Sequence, residues 1–179
     1  MSDWSPARTA AEERFAAVFA HLGLVTEYAR RRRAVDPEGI AAEVMTIAWR
    51  RLADVPLDDA RPWLIATARN LLLAEWRRHR AGTTVELGED HRAPELPSPI
   101  VELDPELETA LMRLSSSDRE ALLLVAWEDL TPQAAAASLG ISAAAFRVRL
   151  HRARRRLTRH LDDTETTAST HRRTRLEET

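Results

Sequence analysis

The sequence predicts an all-α protein: two small helical domains joined by an acidic, proline-rich linker, the second containing a helix-turn-helix. Three observations predict it. Apolar residues recur at spacings of three and four almost throughout, the period of one face of an α-helix. Five glycines and one tyrosine in 179 residues, with that periodicity, argue against a sheet. The pattern breaks between Gly82 and Asp104, where Gly82, Gly88, Pro94, Pro97 and Pro99 punctuate the chain and Glu86, Glu89, Asp90, Glu95, Glu102 and Asp104 outweigh Arg92. The expected organisation is a domain over residues 8–81, a flexible linker over 82–104, a second domain over 105–162, and a polar tail of mixed charge over 163–179 that is expected to be disordered.

Ala10 to Leu22 carries Phe15, Val18, Phe19 and Leu22 at helical spacing, and Gly23 is expected to stop or kink that helix. Leu24 to Ala34 continues as a second helix ending in Arg30, Arg31, Arg32 and Arg33. Cations at a helix C-terminus suit the macrodipole, so a solvated helix end and a phosphate contact both fit. Asp36-Pro37-Glu38 is a helix start, with Asp36 as cap and Pro37 at the first helical position. That helix is expected to reach about Leu52, with Ile40, Val44, Ile47, Ala48 and Leu52 inward, Glu38, Glu43 and Arg50 outward, and Trp49 packed. Asp58 or Asp59 should cap the next helix, RPWLIATARNLLLAEWRRHR, in which Pro62 lies in the first turn. Trp63, Ile65 or Ala66, Leu72 and Leu73 can supply its packed stripe, which leaves Arg69, Asn70, Arg77, Arg78 and Arg80. Interleaved Trp, Asn and Arg suit unpaired nucleic-acid bases, since aromatics stack, Asn bonds base edges and arginine holds phosphates. An amphipathic bundle helix with a basic end fits the same residues.

Beyond the linker, Asp104 to Leu114 sets Leu107, Leu111 and Leu114 inward. Ser115 and Asp118 resemble a capping box with Asp in place of Glu. The apolar run DREALLLVAW should pack Leu122, Leu123, Val125 and Ala126 against the next motif. That motif, TPQAAAASLGISAAAFRVRLHRARRRL over Thr131–Leu157, reads as helix, tight turn, helix. Thr131 can cap the first helix and Pro132 costs no hydrogen bond at its first position. The alanines that follow allow close helix approach, Gly140 supplies a left-handed residue, Ile141 plugs the corner and Ser142 caps the second helix. There Phe146, Leu150, Ala153 and Leu157 form one buried face, while Arg147, Arg149, Arg152, Arg154, Arg155, Arg156 and Arg159 occupy the remainder. A greasy face, an arginine-covered remainder and a short Gly turn are what a DNA-reading helix-turn-helix needs. The arginines can neutralise phosphates or present a bidentate fork to guanine. A solvated basic helix in a small bundle is the alternative.

The net charge of −2 does not announce a nucleic-acid binder; the segregation of acids from bases along the chain does. With no cysteine there is no disulfide, thiolate metal site or cysteine nucleophile. The six histidines have no H-E-x-x-H spacing, the absence of lysine forbids a phosphate-binding GK[ST] loop, and no G-x-S-x-G elbow occurs. No enzyme activity, metal or cofactor is expected. No run approaches the roughly 20 apolar residues that span a bilayer, and the amino terminus has no cleavage pattern, so no membrane association and a cytoplasmic location are expected.

Three stretches together resemble the extracytoplasmic-function (ECF) sigma factors of bacterial RNA polymerase. LGISAAAFRVRLHRARRRL is similar to the family's recognition helix. PEGIAAEVMTIAWR resembles its core-binding helix, with Glu38, Glu43, Ala48 and Trp49 in register, and RPWLIATARNLLLAEWRRHR its promoter-melting helix, with Trp63, Ala68, Arg69 and Asn70 in register. The resemblance covers about Phe15 to Leu157. It implies that the first domain binds the β′ clamp helices of core RNA polymerase through Glu38, Glu43 and Ile47. It implies that Trp63, Arg69, Asn70, Arg77 and Arg78 meet the single strand of the −10 element, Asn70 at the extruded base. It implies that Ser142, Arg147, Arg149, His151, Arg152 and Arg154 read the −35 element, that the second domain meets the β flap, and that an anti-sigma factor is a plausible partner. The chain departs from the pattern at Gly39 and Ala42, where many members have Asp and Gln, and in the alanine-rich first helix of the helix-turn-helix. The rival reading is a stand-alone helix-turn-helix transcriptional regulator, a class that usually dimerises on a palindrome.

Overall fold

The computed structural model describes residues 6–82 and 104–177, and every described element is helical. The acidic linker read from the sequence lies outside the described residues apart from its two ends. The chain divides into two compact units on either side of position 100, the stretch Ala137–Gly140 excepted. Each unit is taken by itself.

The first unit contains α1 (Pro6–Phe19), α2 (Leu22–Arg31), α3 (Pro37–Arg50), a 3-10 turn (Leu52–Asp54) and α4 (Arg61–Gly82). Helix α2 packs on both α3 and α4, α3 packs on α4, and α1 lies on α3. The core is Val25, Tyr28 and Ala29 of α2, Val44 and Ala48 of α3, and Leu64, Ile65, Ala68 and Leu72 of α4, all without exposure. The break after α1 falls at Ala20 and His21, ahead of Gly23, which sits inside α2. Glycine permits a break without imposing one, and here the helix has already restarted.

The arginine run at the end of α2 divides in a way that neither expectation covered. Arg30 stays exposed and pairs with Glu27 and Glu38. Arg32 is 1% exposed, its guanidinium 4.4 Å from the centre of the Tyr28 ring. Arg33 takes a left-handed φ of 56°, and Ala34 N–H reaches back to the Ala29 carbonyl while Arg33 N–H reaches that of Arg30. This is a Schellman ending with arginine where glycine is usual.

Helix α3 begins as the sequence indicates: Asp36 Oδ1 accepts the Gly39 N–H at 2.8 Å and Pro37 follows at the first position. Its buried stripe is Ile40, Ala41, Val44, Met45 and Ala48; Ile47 and Leu52 are only half-buried. Trp49, expected to pack, is 47% exposed and meets Phe15 edge-on at 5.0 Å. Arg14 of α1 ties the loop after the 3-10 turn by donating to the Val55 carbonyl at 2.8 Å.

The second unit contains α5 (Pro105–Met112), α6 (Ser116–Ala126), the first five residues of α7 (Pro132–Leu139) and α8 (Ala143–Glu177). Both α5 and α6 pack on α8. Ala110, Leu111 and Leu114 are buried, with Leu107 only half-buried. In α6 the buried run is Ala121, Leu122, Leu123 and Leu124; Leu122 and Leu123 are buried as the sequence indicates, while Val125 is half-buried and Ala126 exposed. Arg119 closes the α5 end by donating to the carbonyls of Leu111, Met112 and Leu114, groups a helix terminus leaves unpaired. The tail from residue 163 was expected to be disordered, yet α8 continues through it to Glu177. No glycine or proline interrupts the sequence between Ala143 and Glu177, so a helix once nucleated at Ser142 meets no stop signal.

Candidate nucleic-acid interface

The turn between α7 and α8 is built from local chemistry. Thr131 Oγ1 accepts the Ala134 N–H at 3.2 Å, and Ala135 and Ala136 are buried. Gly140 holds φ at 66°, Gly140 N–H bonds the Ala137 carbonyl, and Ile141 N–H bonds that of Ala136, completing a second Schellman ending. Two residues later Ser142 Oγ accepts the Ala145 N–H at 3.1 Å and starts α8. Phe146, Leu150 and Ala153 are buried and fix the rotation of α8 on its neighbours, with Leu157 half-buried.

That rotation decides what the arginines can do. Arg147, His151, Arg152, Arg154, Arg155 and Arg159 are exposed and Arg149 is half-buried. Ser142 is exposed, but its oxygen is committed to the cap. Arg156 is different: its guanidinium hydrogen-bonds the Asp118 carboxylate of α6, a residue only 5% exposed. Asp118 N–H also donates to Ser115 Oγ at 3.2 Å, so half of the expected capping box forms while the carboxylate serves the tertiary contact. Sequence reasoning missed this pair, because 38 residues separate its members and the region around Arg156 carries no acid of its own.

In α4, Trp63, Asn70 and Arg77 recur every seven residues and so share one side of the helix; Leu64, Ile65, Ala68 and Leu72 are the buried opposite side. Asn70, Arg77 and Arg78 are exposed. Trp63 is half-buried, with the Arg51 guanidinium 6.0 Å from its ring centre. Arg69, half-buried, and Arg78, exposed, lie roughly a quarter of a turn to either side of this stripe. The helix start is held by Asp59, whose carboxylate accepts the Arg61 N–H and two guanidinium bonds from Arg61. Those bonds hold its carboxyl below the usual range.

The three α3 residues singled out from the sequence do not form one patch. Glu43 and Ile47, four apart, share a face. Glu38 lies on another face, beside Ala42, Met45 and Trp49, where they join Phe15, Phe19 and Leu22 around a groove of roughly 440 Å3. Its carboxylate accepts a 2.7 Å bond from Arg30, and that bond raises the Arg30 guanidinium pKa. Among the described residues no cluster of three potential ligands could hold a metal, and no helix is long and apolar enough to cross a membrane.

The family described as "Sigma-70, region 4" matches residues 105–157. Over 127 residues the chain is 38% identical to the probable RNA polymerase sigma factor RfaY of Xanthomonas campestris pv. campestris, a match covering 65% of this chain and 32% of RfaY. The chain thus spans about a third of the length of that relative. It is 30% identical over 140 residues to the RNA polymerase sigma factor NccH of Alcaligenes xylosoxydans xylosoxydans, covering 73% of this chain and 75% of NccH. The sigma factor RpoE, solved in complex with the anti-sigma factor NepR from Bartonella quintana, shares the fold with a TM-score of 0.58 at 22% identity, over 82% of this chain and 95% of that one. With a region 4 match on the helix-turn-helix and a relative matched over three quarters of its length, the chain belongs to the RNA polymerase sigma factors.

Proposed function

We propose that this protein is a dissociable specificity subunit that joins core RNA polymerase and directs promoter-specific initiation. The domain over residues 8–81 binds the β′ clamp helices and opens the −10 element. The domain over 105–162 reads the −35 element and meets the β flap, and residues 82–104 are the tether. The observation that carries this reading is the rotation of α8: a fully buried Phe146 and Ala153 turn Arg147, His151, Arg152 and Arg154 outward from a capped, glycine-closed turn. Arg149, half-buried at the edge of that face, approaches the DNA from the side. On α4, Asn70 takes the extruded base with Trp63, Arg77 and Arg78 along the strand, and Arg69 supports them from the flank. Glu43 and Ile47 form the clamp contact, with Glu38 beside the Trp49 groove as a second point of attachment.

The reading places the protein in the cytoplasm with the polymerase and assigns it no catalysis of its own. An anti-sigma factor is included among its partners on the strength of RpoE, which was solved with one. Run-off transcription with purified core polymerase on genomic fragments tests the proposal. Discrete start sites that appear only when the chain is added support it. A folded chain that gives none, and that does not come down with core polymerase, refutes it and favours a stand-alone regulator.

A further inference from the structure

Val148 sits in the second turn of α8 with 51% of its surface exposed. It follows the buried Phe146 by two residues, about 200° around the helix, so it points away from the face that packs on α5 and α6. One turn before it is the exposed Ala144; one turn after it are the exposed His151 and Arg152, with exposed Arg147 alongside. The centre of an otherwise cationic surface is therefore a small apolar patch. Valine there contributes nothing to the core, is a weaker helix former than the arginines around it, and cannot hold a phosphate. Single exposed aliphatic residues are common, but this one occupies the part of a recognition helix that meets base edges. In the major groove the one apolar feature of a base pair is the thymine 5-methyl group.

We propose that Val148 is a specificity-determining residue that packs on the 5-methyl group of one thymine in the −35 element, while Arg147, His151 and Arg152 contact the surrounding backbone and base edges. The inference rests on the reading of α8 as the −35 helix. It adds a preference for an A·T pair at one position that no arginine would impose.

The test uses holoenzyme assembled from core polymerase and the full chain, on a promoter found by run-off transcription. Each thymine of the −35 element, on either strand, is replaced in turn by deoxyuridine, which removes only the methyl group. Wild-type holoenzyme should lose about fourfold in promoter affinity at one position, the factor for one methyl leaving an apolar contact. With Val148→Ala the thymine promoter should bind about fourfold more weakly, and deoxyuridine at that position should cost nothing further. Indifference of the wild type to every deoxyuridine, or an undiminished penalty in Val148→Ala, overturns the assignment of Val148 while leaving the sigma reading intact. Loss of start-site selection by the wild-type chain itself would instead remove the sigma reading and this inference with it. Because Val148 is exposed, the alanine variant keeps the fold, and an unchanged deoxyuridine response at all other positions confirms that.

Discussion

Replacing Gly140 by alanine isolates one physical term in the turn that leads into α8. A Cβ built at Gly140 meets no atom within 4 Å, so the substitution creates no clash. Its whole effect comes from φ, which is 66°. Forcing an L-residue into that left-handed region costs about 1–2 kcal/mol. Alanine also restricts the unfolded chain, which returns about 0.4–1 kcal/mol. The net expectation is a loss of about 1 kcal/mol, equivalent to a drop of roughly 4–8 °C in the melting temperature of a unit this size. Calorimetry on the full chain measures the drop, and hydrogen exchange on peptides spanning α7 and α8 assigns it to the right unit. Gly140→Asn should lose less than Gly140→Ala, because asparagine tolerates the left-handed region. The reverse change is available at Arg33, which holds φ at 56° in the equivalent position after α2: Arg33→Gly should not destabilise. A Gly140→Ala protein as stable as wild type, or an asparagine variant worse than the alanine one, would refute the argument from backbone conformation.

Gly39→Ala should fail to stabilise α3 despite the better helix propensity of alanine. Its Cβ would lie 2.2 Å from Asp36 Oδ2, so the capping carboxylate must move, and the roughly 1 kcal/mol gained from propensity is offset by about the same amount lost with the cap; urea unfolding gives the balance. Arg156→Ala leaves the Asp118 carboxylate buried without its guanidinium and should cost about 1–3 kcal/mol, while Arg156→Ala combined with Asp118→Ala should cost less than the sum of the two, as a double-mutant cycle on unfolding midpoints would register. Asp59 has its carboxyl pKa lowered chiefly by the Arg61 hydrogen bond. Its contribution to stability is therefore present above the unfolded-state value of about 3.9 and lost as pH falls through the lower folded-state value. The unfolding midpoint of the first unit should fall less between pH 7 and pH 3 in Asp59→Asn than in wild type.

What was legible in the sequence is what operates over a few residues. A cap is a contact between a side chain and a backbone group two or three positions on, so Asp36, Ser115, Thr131 and Ser142 could all be named in advance, and each makes its bond. The buried face of α8 was legible for the same reason, since Phe146, Leu150 and Ala153 declare it by spacing alone. The misreadings lie where tertiary contact overrides the local signal. Arg32 reads as part of a solvated helix end or a phosphate contact and is buried over Tyr28. Trp49 reads as core and is half exposed, its ring set at a steep angle to that of Phe15. Arg156 reads as one more cation on a basic helix and is bound to Asp118. The division of Glu38 from Glu43 and Ile47 was available from helical geometry, but a family register carries positions without carrying the faces they point to.

The same division of labour bears on how a chain of net charge −2 can select DNA. Arg147, Arg152, Arg154, Arg155 and Arg159 are exposed on α8, and Arg77 and Arg78 on α4, in separate units. At physiological salt a charge is felt over about 8 Å, so on the proposed reading each set acts on phosphates close to its own helix. Arg156 instead ties α8 to α6 through Asp118, which on the proposed reading narrows the range of angles at which the remaining arginines meet a groove. On the proposed reading, two such weak contacts become selective once core polymerase holds both units on one duplex, because the second contact then forms at the high effective concentration of a tethered site. Selectivity then depends on the spacing between two DNA elements as well as on their sequences, and a chain with stronger arginine sets would lose it by binding at either element alone.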